Sequence, residues 1–135
     1  MNRLTALAFA LALSAAGAGA STERGLDYEK DINQGLLTLA VADKIRRACD
    51  SISGRFFRAQ GYANNLKSLA ESRGYSRAEI EAYINDDVEK AEMRERRNAF
   101  FKARGASNLD PESLCTLGRA EIARNSQIGY LLREK

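Results

Sequence analysis

The chain of 135 residues carries 21 Lys and Arg against 18 Asp and Glu, a formal net charge of +3, with one proline, two cysteines and neither histidine nor tryptophan. Without histidine it lacks the usual general base near neutral pH, the commonest transition-metal ligand and any Cys-x-x-Cys-His haem attachment. Catalysis would have to rest on carboxylates, Lys, Tyr or Ser, and a surface of such mixed charge nominates no partner by itself.

Residues 1–20 have the three parts of a secretory signal: a basic start (Met1, Asn2, Arg3), an apolar stretch over residues 4–16, and a small-residue exit, Ala18-Gly19-Ala20. Cleavage is expected after Ala20. The apolar stretch of 13 residues is short of the ~20 needed to span a bilayer, and no comparable run follows. The expected product is therefore periplasmic or secreted, without a transmembrane segment, and with no cysteine before Cys49 to carry a lipid. Residues 21–135 are sized for a single domain; loss of Arg3 leaves 20 cationic against 18 anionic side chains, a net charge of +2.

Apolar residues recur at helical spacing almost throughout, and no alternating β-branched run is present. A first helix is predicted over residues 33–53, with Leu37, Val41, Ile45, Cys49 and Ile52 on one stripe, ended by Gly54. A second, over residues 56–73, aligns Phe56, Ala59, Ala63, Leu66 and Ala70 before Gly74, a left-handed cap. Ser76-Arg77-Ala78-Glu79 is a capping-box pattern that opens a third helix. Its stripe of Ile80, Tyr83, Ile84, Val88 and Ala91 lapses over residues 92–98 except for Met93 and resumes at Phe100 and Phe101. Unbroken to Arg104, this helix would be roughly 43 Å long before Gly105 stops it. Asp110-Pro111 opens a fourth helix to about Arg124, because aspartate accepts from free amides and proline tolerates the first helical position. Asn125 and Ser126 interrupt it, and Ile128, Leu131 and Leu132 form a last apolar turn that docks on the core.

The expected fold is all-α, a small antiparallel bundle of about four helices in up-down-up-down order. An even cysteine count in an exported chain points to a Cys49–Cys115 disulfide, and in such a bundle these two positions share one end. Gly118, one turn after Cys115, would permit the close approach. A redox-active thiol has neither a neighbouring cysteine nor a histidine to activate it.

Sites for chemistry are few. Asn85, Asp87 and Glu89 have the opening spacing of an EF-hand loop, yet Lys90 and Arg96 stand where glycine and glutamate are required. Neither a metal nor another cofactor is expected. Asp86 and Asp87, or Glu79 and Glu81, point in different directions on a helix and read as solvated carboxylates. Lys90, Arg94, Arg96 and Arg97 with Phe100 and Phe101 are the preferred partner surface. Glu89, Glu92 and Glu95 interleave with them and dilute the field, and export separates the chain from nucleic acid.

Three phrases carry a resemblance to a known family: Ile45-Arg46 with Cys49, Ile52 and Arg55; Gly74-Tyr75-Ser76 with Glu79-Ile80; and Cys115-Thr116-Leu117-Gly118-Arg119 with Glu121-Ile122 and the closing Ser126-Gln127-Ile128-Gly129-Tyr130-Leu131-Leu132. In these the chain resembles a family of small exported bacterial proteins whose shared domain is of unknown function. The resemblance implies no catalytic residues. It also implies an accessory role beside respiratory NADH dehydrogenase, through the genes that neighbour such proteins.

The leading expectation is a non-enzymatic periplasmic protein that binds another protein, at an inner-membrane complex among other places. The alternative is a periplasmic stress chaperone that loosens in acid; without histidine its switch would lie below about pH 5. A hydrolytic enzyme is disfavoured because no nucleophile has an identifiable base beside it.

Overall fold

The computed structural model describes residues 25–135. The expected export signal, residues 1–20, and its cleavage point lie outside the described residues. Within them a short 3-10 turn, Leu26–Tyr28, leads into α1 (Lys30–Ala48), and a short strand β1 (Ile52–Gly54) precedes α2 (Phe56–Ser72). Then come α3 (Arg77–Asn85), α4 (Asp87–Ala103), α5 (Pro111–Ala123), a single turn α6 (Gln127–Tyr130) and β2 (Leu132–Glu134). None of these helices is long and apolar enough to cross a membrane.

The protein is mostly helical, as its periodicity predicts, but the expected four helices are six among the described residues, joined by a two-stranded sheet. The long third helix is two. Asp86 ends α3 and caps α4, its carboxylate accepting from the amides of Val88 and Glu89 at 2.9 Å each. That break resets the helical phase, which is why Val88, placed on the core stripe by its spacing, is 65% exposed. The capping box at Ser76 forms in both directions, Asp110 caps α5 behind Pro111, and Gly74 and Gly105 adopt positive φ as helix stops.

The first helix also ends early. Cys49 is its C-cap, so Ile52 belongs to β1 and not to the helical stripe. The final apolar turn continues into β2, which pairs antiparallel with β1 in the register Ile52↔Glu134, Ser53↔Arg133 and Gly54↔Leu132. α1 lies against α2, α4 and α5. Around it the main core gathers Val41, Ile45, Ile52, Phe101, Leu114 and Leu131, all at most 1% exposed. A smaller cluster of Leu26, Ile32, Ala70, Tyr75 and Ile80 fills the other end.

Candidate functional site

At the main-core end the chain is closed by three kinds of tie. Cys49 and Cys115 form a disulfide with Cα atoms 5.2 Å apart, joining the end of α1 to the first turns of α5. Gly118 makes room for this approach, since a Cβ there would lie 2.6 Å from Ile52 Cδ1 and 2.7 Å from Ile45 Cγ2. The β1–β2 ladder is the second tie. The third is arginine: the Arg55 amide donates to the Leu131 carbonyl at 2.8 Å, the Arg55 Nε to Leu132 O at 3.1 Å and the Arg58 Nη1 to Tyr130 O at 3.2 Å.

These ties fix the first turn of α2, and on that turn Phe56 and Phe57 stand 68% and 85% exposed, edge to face with centroids 5.5 Å apart. Burying one such side chain is worth about 1.5–3 kcal/mol, so an adjacent pair held in water on a rigid turn reads as a contact surface. Phe56 was expected on the core stripe of α2. It is displaced because α2 begins directly after the strand, where Leu131 and Leu132 already fill the core behind it. Instead Phe56 borders an open groove of about 380 Å³ whose apolar floor is Leu39, Ala42, Ala59, Leu131 and Leu132. Arg46 and Arg55 line its rim. Asp43 is the one carboxylate among its lining residues, and it is already paired with Arg46 at 2.6 Å and Arg47 at 2.5 Å.

The basic surface expected on α4 is divided by the fold. Lys90, Arg94 and Arg97 come together on one face with Met93 and, from α1, Arg47, around a cleft of about 330 Å³. Arg96 turns aside to pair with Glu92 at 3.3 Å. Phe100 is half-buried beneath the Arg104 guanidinium, 3.6 Å from its ring centroid. Phe101 is fully buried and does not belong to any surface, because the end of α4 turns it into the main core. Arg97 is half-buried too, and burial, then Arg47 and Arg94, press its pKa below the ordinary arginine value.

Two buried polar groups hold the frame. Glu121, 2% exposed, accepts from Arg124 Nη2 at 2.7 and 2.9 Å and from Arg124 Nε at 3.2 Å, with Arg104 at 3.8 Å. It is thus a paired charge that ties the end of α4 to α5. Asn33 donates to the carbonyls of Leu26 and Glu29, at 2.7 and 2.9 Å, and accepts from the Tyr83 hydroxyl at 2.6 Å, fastening the N-terminal turn to α1 and α3. Burial, with the Glu89 carboxylate beside it, pushes the Tyr83 pKa up to about 12.

The family model described as a family of unknown function, DUF5333, matches residues 24–133. The chain belongs to the DUF5333 family. Among curated proteins and among solved structures, none matches it. The match takes in every element of this DUF5333 fold up to Arg133, including both cysteines and the closing phrase on which the resemblance rests. The groove beside Phe56 was missed by sequence reasoning, although a signal was there: two adjacent aromatics on a helix cannot both face one stripe, and Phe57 lies off it.

Proposed function

We propose that this DUF5333 protein is an exported, non-enzymatic binding module that seats an acidic, partly apolar segment of a partner protein in the groove beside Phe56. The exposed pair Phe56 and Phe57 carries the reading. Aromatic and arginine side chains dominate protein-binding energy when they are rigidly held, and here Phe56, Phe57, Arg55 and Arg58 share one clamped turn, with Arg46 of α1 lining the same groove as Phe56. The cationic rim against a single, already paired carboxylate favours an acidic occupant. Export through the signal in residues 1–20 would put that partner in the periplasm, where the exposed face of a respiratory membrane complex is one place for it.

The test is affinity capture of the tagged protein from periplasm and detergent-solubilised membranes, run beside a Phe56→Ser/Phe57→Ser variant. A partner recovered reproducibly by the parent, lost at least tenfold by the variant, and retained by an Arg96→Gln control supports the reading. A partner that survives loss of both phenylalanines sinks it.

A further inference from the structure

The cleft on α4 adjoins a second concavity of different chemistry. Leu36, Tyr83 and Ile84 line both. On one side lies the cationic cleft of about 330 Å³; on the other, a pocket of about 210 Å³ walled by Leu26, Ile32, Leu66, Ala70 and Ile80. Together they fall within the size range of small-ligand sites, ~300–1,000 Å³.

The cationic side is short of counter-charge. Arg47, Lys90, Arg94 and Arg97 line it, against Glu89 and the Asp43 that pairs with Arg47. Among the described residues the Arg97 guanidinium donates only to the side-chain amide oxygen of Asn98, at 3.2 and 3.3 Å, and neither Lys90 nor Arg94 has an ion-pair partner. An anion between these guanidiniums would relieve their mutual repulsion and satisfy donors on a half-buried arginine. The adjoining pocket asks for the opposite. Its walls are almost wholly aliphatic, and its volume admits part of one alkyl chain and not two side by side.

We propose that this double cleft binds a single-chain anionic amphiphile of the fatty-acid class, its carboxylate among Arg47, Arg94 and Arg97 and its chain passing over Leu36 and Ile84 into the aliphatic pocket. A free inorganic anion would leave the pocket empty, and a neutral chain would leave the arginines unpaired. The site is separate from the groove beside Phe56, so either can fail without the other.

The test is calorimetric titration of the purified protein at low ionic strength with dodecanoate and with 1-dodecanol, each below its aggregation concentration. Dodecanoate should bind saturably at one site per chain, at least tenfold tighter than the alcohol. Arg94→Gln/Arg97→Gln, at an exposed and a half-buried position of α4, should lower dodecanoate affinity at least tenfold and leave the alcohol unchanged. Ala63→Leu, which fills the aliphatic pocket, should weaken both ligands; folding is checked by circular dichroism, and the arginine pair decides if that variant does not fold. Equal affinity for acid and alcohol, indifference to the arginine variant, displacement of dodecanoate by equimolar inorganic phosphate, or no saturable binding each overturns the proposal.

Discussion

The disulfide should supply a large share of this domain's stability, and the amount follows from where it sits. The bridge closes a loop across a sequence separation of 66. In the chain-entropy model, cross-linking a loop of that length restricts the unfolded chain by about 4 kcal/mol at 25 °C. Cys49 is 1% exposed and Cys115 7%, so replacement by Ala/Ala would add a cavity cost, while reduction alone leaves the side chains in place. The assay is urea unfolding followed by circular dichroism, with the protein oxidised, reduced before unfolding, and as Cys49→Ala/Cys115→Ala. With a slope of ~1–1.5 kcal/mol/M, reduction should lower the midpoint by roughly 3 M, and the double variant should fall at least as far. A midpoint shift below about 0.5 M on complete reduction would refute the reasoning. It would mean that the unfolded ensemble keeps the two loop ends near each other without the bridge.

Three further outcomes are expected. Gly129→Ala should unfold the C-terminal segment or cost several kcal/mol, because a Cβ there would lie 2.0 Å from the Glu121 carbonyl oxygen, in backbone that cannot move aside; thermal unfolding reads it. Asp86→Ala removes the cap accepting from Val88 and Glu89 and should cost about 1 kcal/mol, measured by urea midpoint, with frayed amides at the start of α4 in hydrogen exchange. The Arg73 guanidinium, hydrogen-bonded to Asp31, holds that carboxyl down at about 2 from an ordinary 3.8. A carboxyl whose folded pKa is depressed contributes stability above its unfolded pKa and loses it as pH falls through the folded one. Stability should therefore drop between about pH 4 and pH 2, and Arg73→Gln should flatten that slope in urea midpoints taken across the window.

Where a local rule acts alone, the fold was legible. Ser76 with Glu79 and Asp110 with Pro111 mark helix starts by side-chain chemistry that needs no tertiary contact. Gly74 and Gly105 end helices for equally local reasons. Asp86 obeys the same rule, with Glu89 three residues on, yet the apolar stripe running past it to Ala91 masks the break. The β1–β2 pair was illegible for another reason. Strands of three residues carry no measurable alternation, and Ile52 and Leu132 become partners' neighbours only when the chain folds back across about 80 residues. Of the expected partner surface, Lys90, Arg94 and Arg97 share a face at spacing i, i+4, i+7. Phe101 did not belong with them, since an aromatic beside arginines in sequence can still point to the opposite side of the helix.

The two ends of the molecule are held by different means, and that difference bears on what each can do. The main core has twelve buried residues locked by a covalent bridge, a strand pair and the Arg55 and Arg58 bonds to the C-terminal segment. The smaller cluster has five, fastened by Asn33, by the Tyr75 hydroxyl on Glu29 and by the exposed Arg73–Asp31 pair. Local opening follows buried apolar area and tertiary ties, so the second end opens at lower free energy than the first. A rigid end suits Phe56 and Phe57, whose worth in a contact depends on being held in place before a partner arrives. The looser end suits the aliphatic pocket, which lies between Leu26, Ile32 and Ile80 of that cluster and could widen there for the proposed alkyl chain. The disulfide thus does more than add stability. The Cys49–Cys115 bridge ties the first of these ends alone, so the second can open with the bridge intact.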